Sequence, residues 1–194
     1  FTARRTSELI KYAANAFLAV KISFINEIAD LCEKVDANVQ DVARGIGLDG
    51  RIGAKFLNAG PGYGGSCFPK DTLALVKTAD DVDADMQIVR TTIAVNDARK
   101  KAMAERIVRA CGGSVAGKTI GVLGLTFKPN TDDMRDAPSL DIVPALIAQG
   151  ARVQAFDPEG MAEAEKLLSD VVFAADPYEA ADGAHALVPV SYTH

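Results

Sequence analysis

The chain has 194 residues, 48% of them hydrophobic, enough for one large domain or two small ones with real cores. Its net charge of −5 gives no electrostatic case for a nucleic-acid or anionic-membrane partner. No apolar run is long enough to span a bilayer, no signal-peptide pattern opens the chain, and Cys32, Cys67 and Cys111 form neither a CxxC pair nor a zinc spacing, so a reducing cytoplasm is expected.

Residues 4 to 35 read as one long helix, because Leu9, Ile10, Ala13, Phe17, Val20, Phe24, Ile28, Leu31 and Val35 recur at three- and four-residue steps without Gly or Pro. A helix this long suggests a backbone element or a subunit contact. A short helix is expected over 36–44, closed by Gly45 and Gly47, and then an irregular Gly-rich region over 48–69. Helix resumes over 70–78 and again over about 85–110, stopping at Gly112-Gly113. The grammar then alternates: strands are expected at 118–127, 151–158, 171–174 and 185–190, with helices at 139–150, 160–169 and 177–181 between them. Alternation of this kind implies a parallel sheet with crossover helices. The expected fold class is therefore α followed by α/β: an all-helical domain over 1–115 and a Rossmann-like α/β domain over 116–188 that is cut off early. Residues 189–194 are set aside as a candidate non-native tail, and the whole reads as an excerpt of a longer protein.

The segment "GPGYGGSCFPKD", residues 60–71, raises three readings. Gly60, Gly62 and Gly65 fit G-x-G-x-x-G, but a dinucleotide fingerprint needs a strand before it, and "RIGAKFLNA" is not β-rich. A P-loop fails because Ser66-Cys67 stand where Lys-Ser/Thr is required. A flexible connector explains the glycines but not the cysteine, lysine and aspartate beyond them. Cys67 lies where a helix would begin, and there orphan N–H groups and the helix dipole favour a negatively charged sulfur. Pro69 suits that first turn, and Asp71 adds a carboxylate. Cys32 on the apolar helix reads as a small core residue, and Cys111 beside the helix-ending glycines reads as equally inert. Lys11 and Asn15, four apart, share a helix face that spacing alone would leave to solvent. Asp132 and Asp133 lack a third ligand, so no metal is expected.

The segments "SELIKYAANAFLAVKISFINEIADLC", "RIGAKFLNAGPGYGGSCFPKDTLAL", "GVLGLTFKPNTDDMRDAPSLDIV" and "FDP" occur in an order that resembles the nucleotide-sugar 6-dehydrogenases, the UDP-glucose/GDP-mannose dehydrogenase family. The "GGSCFPKD" form is similar to the branch acting on UDP-glucose. The N-acetylmannosamine branch carries His where Ser66 stands. The resemblance implies a helical central domain that makes a homodimer through its long helix, and an α/β domain that binds the nucleotide sugar. It implies that NAD, and a glutamate acting as base, belong to an N-terminal domain outside this sequence, so these residues alone should be inactive. The competing readings are a GDP-mannose or other nucleotide-sugar dehydrogenase, and a dimerisation or nucleotide-binding module without chemistry.

The roles implied by the resemblance fall on particular residues. Cys67 matches the nucleophile that holds the sugar as a thiohemiacetal and then a thioester, between two hydride transfers to NAD. Lys11, Asn15 and Asp71 match the group that stabilises oxyanion charge and positions water. Arg51 matches a substrate contact made across the dimer, while Phe56, Asn58, Tyr63 and Gly64 belong to a loop enclosing UDP-glucose. Phe127 and Lys128, at the carboxyl end of the first strand, match further substrate contacts. Lys70, Arg135 and Cys67 itself fall where the cofactor would approach, with Asp132 and Asp133 as loop-ordering partners of Arg135.

Overall fold

A computed structural model describes residues 2–191. Its elements, in chain order, are α1 (Arg4–Val35), α2 (Val39–Gly47), α3 (Phe68–Asp80), α4 (Gln87–Ala110), β1 (Thr119–Leu123), α5 (Ser139–Ala148), β2 (Arg152–Phe156), α6 (Met161–Ala164), β3 (Val171–Phe173), α7 (Pro177–Ala181) and β4 (Ala186–Pro189). The expected class, helices and then a parallel α/β sheet, is what the chain forms.

Contacts divide the chain into Phe1–Asp97 and Ala98–His194. The expected boundary near 115 therefore moves back into α4. The cause is packing: Met103, Ala104, Ile107 and Val108 join the apolar core built on the sheet.

In the helical unit, α1 packs on α2 and, more extensively, on α3. The face it buries is made of small and polar residues, Ala16, Ala19, Ser23, Asn26, Ala29 and Cys32, together with Ile25. Its larger side chains point outward: Ile10, Phe17, Phe24 and Leu31, spaced by seven, are 48–64% exposed. Helix α2 starts later than expected because Asn38 caps it, its side chain accepting from the N–H groups of Gln40 (2.8 Å) and Asp41 (3.4 Å). Gly45 then lies inside the helix, and Gly47 is its last residue. An apolar cluster of this unit gathers Ala16, Leu75, Val76 and Val89.

In the α/β unit the strands run parallel in the order β3-β2-β1-β4. Ile120 and Val122 of β1, Val153 and Ala155 of β2, and Ile142, Val143 and Leu146 of α5 are at most 2% exposed and form its core. Gly121 lets α7 close on β1, since a Cβ there would stand 2.5 Å from the carbonyl oxygen of Ala180. Strand β1 ends sooner than expected because Leu125 and Thr126 turn to bond Asp157 instead of continuing the ladder. Helix α6 is a single turn, not the ten residues expected. The expected tail also needs correcting. Pro189 pairs with Leu123, and Val190 is buried and donates its N–H to the Leu123 carbonyl at 2.9 Å, so both belong to the sheet. Residues 192–194 of that tail lie outside the described residues.

Candidate active site

Helix α3 begins one residue after Cys67, which occupies its N-cap position with φ −97° and ψ −59°, and Pro69 stands in its first turn. The thiol is exposed, at the positive end of a 13-residue helix, while Cys32 is buried and Cys111 half-buried. Ser66 Oγ lies 3.7 Å from Cys67 Sγ. Regular α-helical bonding carries the chain from Cys67 to Asp71, whose N–H donates to the Cys67 carbonyl at 2.8 Å.

The Asp71 carboxylate is the point on which the predicted residues converge. Its side chain is fully buried. Asn15 Nδ2 donates to Oδ2 at 2.6 Å, Lys70 Nζ donates to Oδ1 at 2.7 Å, and Lys11 Nζ stands 3.4 Å from Oδ2. Burial pushes this carboxyl up, but the hydrogen bonds from Lys70 and Asn15 and the charges of Lys11 and Lys70 outweigh it and hold the group below the usual carboxylate range. Both ammonium groups reach solvent, with side chains 60% and 62% exposed. An anionic carboxylate, two cations and an amide therefore sit one helical turn beyond an exposed thiol.

The Gly-rich segment is fastened from two helices. Asn26 Oδ1 on α1 accepts the Gly60 N–H at 2.8 Å. Asn96 on α4 grips Tyr63 from both sides, accepting its N–H at 2.8 Å and donating to its carbonyl at 3.1 Å. Neither asparagine was predicted. The only sequence signal is a polar residue on a face otherwise given to small or apolar ones. Tyr63 is itself buried, with its ring edge-on to Phe68 at 6.0 Å; burial pushes its phenol up to about 12. Gly64 is buried beside it, whereas Asn58 and Phe56 are exposed, the Phe56 ring lying 6.0 Å from that of Phe68. Arg51 is exposed and forks onto Asp49, with its Nε 3.0 Å from Oδ1 and its Nη2 2.5 Å from Oδ2.

In the α/β unit, Phe127, Lys128 and Arg135 all fall on the loop between β1 and α5. Strand order reverses at β1, and the carboxyl ends of strands at such a reversal form a crevice that binds ligands. Lys128 is exposed, with Nζ 5.3 Å from the Phe127 ring centre. Asp133 does order Arg135 as expected, taking Nε at 2.9 Å and Nη2 at 2.8 Å. The loop is held from below by Asp157 at the end of β2, which is 1% exposed. Its Oδ2 accepts the N–H groups of Leu125 (2.7 Å) and Thr126 (3.1 Å), and its Oδ1 those of Glu159 (2.9 Å) and Gly160 (2.8 Å). Burial pushes this carboxyl up too, and the four backbone donors hold it down.

Among the described residues, no three His, Cys, Asp or Glu side chains gather where a metal could sit, and no helix is long and apolar enough to cross a membrane. A dinucleotide does not fit Gly60–Gly65: the segment joins α2 to α3, and among the described residues no strand precedes it.

Fold and site together define a class: a helical unit presenting an exposed thiol beside a cation-clamped carboxylate, joined to a doubly wound parallel sheet of nucleotide-binding order. Residues 5–98 match the UDP-glucose/GDP-mannose dehydrogenase family, central domain, and residues 121–192 match that family's UDP binding domain. The chain belongs to the UDP-glucose/GDP-mannose dehydrogenase family. It is 69% identical over 191 residues to the UDP-glucose 6-dehydrogenase of Rhizobium meliloti (strain 1021), covering 98% of this chain and 44% of that protein. It is 53% identical over 168 residues to UDP-glucose 6-dehydrogenase YwqF of Bacillus subtilis (strain 168), covering 87% of this chain and 38% of that one. A solved UDP-glucose dehydrogenase from the archaeon Pyrobaculum islandicum superposes with a TM-score of 0.90 at 39% identity, over 96% of this chain and 43% of that structure. The chain thus spans less than half the length of these relatives. The match running to residue 192 agrees with the corrected place of Pro189 and Val190.

Proposed function

We propose that these residues form the thiol-bearing and nucleotide-sugar-binding parts of an enzyme that oxidises UDP-glucose to UDP-glucuronate, with NAD held by residues outside this sequence. The observation that carries the reading is the buried Asp71 carboxylate, clamped by Lys70, Asn15 and Lys11, one helical turn from exposed Cys67. NAD, when bound, takes up the hydrides, and the residues present here carry the thiol chemistry. The Cys67 sulfur adds to C6 of the sugar aldehyde to give a thiohemiacetal, whose oxidation leaves a thioester. Water, oriented by Asp71 and Asn15, attacks that carbon, and Lys11 stabilises the oxyanion that forms. Hydrolysis returns the thiol and releases the carboxylate. Lys70 neutralises Asp71, and Lys70 and Arg135 are the cationic groups assigned to the cofactor.

Substrate contacts are assigned by exposure. Arg51, Phe56 and Asn58 present themselves to the nucleotide sugar, and buried Tyr63 and Gly64 back that loop without offering a stacking face. Phe127 and Lys128 take the nucleotide end at the β1 crevice. The exposed heptad row of α1 pairs with that of a second copy, forming a homodimer that brings Arg51 to its partner's substrate. The dispersed free thiols suit the cytoplasm. Without the residues that hold NAD, the 194 residues alone should not turn over.

The test is a Cys67→Ala exchange in the full-length protein. Conversion of UDP-glucose, monitored as reduced nicotinamide, should be abolished, and Cys67→Ser should stall on a covalent sugar adduct detectable by mass. Normal turnover by Cys67→Ala would sink the nucleophile assignment.

A further inference from the structure

We propose that Lys21 is a positioning residue for the loop that presents Arg51 and Phe56, its ammonium being the counter-charge around which three backbone carbonyls are folded. What the loop contacts rests on the reading above; how the loop is held does not.

Lys21 lies on α1, on the turn beyond Phe17. Its Nζ donates to the carbonyls of Ile52 (3.0 Å), Gly53 (3.1 Å) and Lys55 (2.5 Å). An ammonium has three N–H donors and no acceptor, so these three bonds use its whole capacity on one loop. A half-buried lysine on a helix flank would ordinarily be a solvated charge with its stem on apolar surface. Here every proton goes to backbone.

The loop needs such an anchor. Its front is an Asp49 turn, in which the Asp49 carbonyl accepts from the N–H groups of Ile52 and Gly53, both at 2.9 Å. Gly53 then takes φ +72° and Phe56 takes φ +65°. Glycine adopts that region freely, but phenylalanine does so only when its surroundings hold it there. Carbonyl dipoles aimed at one point repel one another, and a cation at that point turns the repulsion into attraction. The Arg51–Asp49 fork is internal to the turn and fixes nothing outside it. Asn26 fastens the segment only further on, at Gly60. Lys21 and Asn26 thus fasten the two ends of this region to the same helix, and Arg51 and Phe56 are placed by the first of them.

The experiment uses the full-length protein and two exchanges. Lys21→Met keeps the aliphatic stem and removes the charge. Trypsin, which cuts after Arg51 and Lys55, should then cleave at those two sites about tenfold faster relative to all other sites, the order expected from losing charge-assisted hydrogen bonds. Lys21→Ala should raise KM for UDP-glucose about tenfold while leaving kcat within about threefold. n-Propylammonium, which replaces the deleted atoms, should restore that KM, whereas tetramethylammonium at equal ionic strength should not. Unchanged cleavage and KM would overturn the inference. So would equal rescue by both cations, or a uniform acceleration of every tryptic site, which would reduce Lys21 to general stability. Should Lys21→Ala fail to fold, the cleavage ratio in Lys21→Met decides alone. If the wild type does not oxidise UDP-glucose, the functional reading falls, and the cleavage ratio still judges Lys21.

Discussion

Asp71 in the helical unit and Asp157 in the α/β unit are both buried carboxylates held below the usual carboxylate range, yet their partners are of opposite kinds. Asp157 is satisfied by four backbone N–H groups, two from each of two loops, and by the Thr126 hydroxyl at 3.2 Å. Backbone donors cannot leave without unfolding their loops, so this carboxylate is a fixed tie beneath the β1 crevice. Asp71 is satisfied by side chains, two of which are lysines whose stems run out to solvent. Such partners can exchange a carboxylate oxygen for water or substrate without moving backbone. Two groups alike in burial and charge are thus fitted for different work: one holds a loop and the other is free to take part in chemistry.

The sharpest way to break this comparison is to neutralise each carboxylate in turn. Asp71→Asn should lower kcat by about 10²- to 10⁴-fold, the usual weight of a positioned acid–base group, with little change in the urea midpoint. Steady-state turnover beside equilibrium unfolding reads both quantities. If the loss were instead mostly one of stability, Asp71 would be a second Asp157, and the site would lose its central group.

Asp157→Asn should show the reverse. An amide NH₂ turned toward two backbone N–H groups leaves them unpaired in the interior, at about 3 kcal/mol in all. The effect carries a pH signature. Because the folded carboxyl titrates below its unfolded value of about 3.9, the stability it contributes is fully present above that value and is lost as pH falls through the folded one. Wild-type stability should therefore fall more steeply than that of Asp157→Asn as pH drops from about 5 toward 2. Parallel curves would show that the tie carries no charge-dependent stability.

How much of this was legible in the sequence depends on the reach of each interaction. The ends of α1 could be read because helical periodicity is local and nothing interrupts it. The pairing of Lys11 with Asn15, and of Cys67 with Asp71, could be read because four-residue spacing on a helix fixes a shared face. The start of α2 was missed because α1 ends at a left-handed Asp36 and the next helix waits for Asn38, a cap marked only by its side-chain bonds. Lys21, Asn26 and Asn96 were missed because they grip backbone some thirty residues away, and backbone leaves no side-chain pattern to match. Asp157 was visible only as part of "FDP" for the same reason. The periodicity of α1 was visible, but not its direction: mostly small residues face inward, where α2 and α3 pack on the helix, and the larger ones are left outside.

The smallest expected effect tests whether the Asp71 partners are exchangeable, as the comparison requires. Lys70 bonds Oδ1 from a side chain that is 62% exposed. Exposed ion pairs contribute little, so Lys70→Met should change stability by less than about 1 kcal/mol. Asp71 would keep Asn15 and Lys11, and turnover at neutral pH should fall far less than in Asp71→Asn. The change should appear in the pH profile. Lys70 is the leading group holding the Asp71 carboxyl down, so its removal lets burial push that carboxyl upward, and the acid limb of kcat/KM should move to higher pH. An acid limb that stays in place, with turnover reduced at every pH, would assign Lys70 a direct contact with a ligand instead of a share in the charge of Asp71.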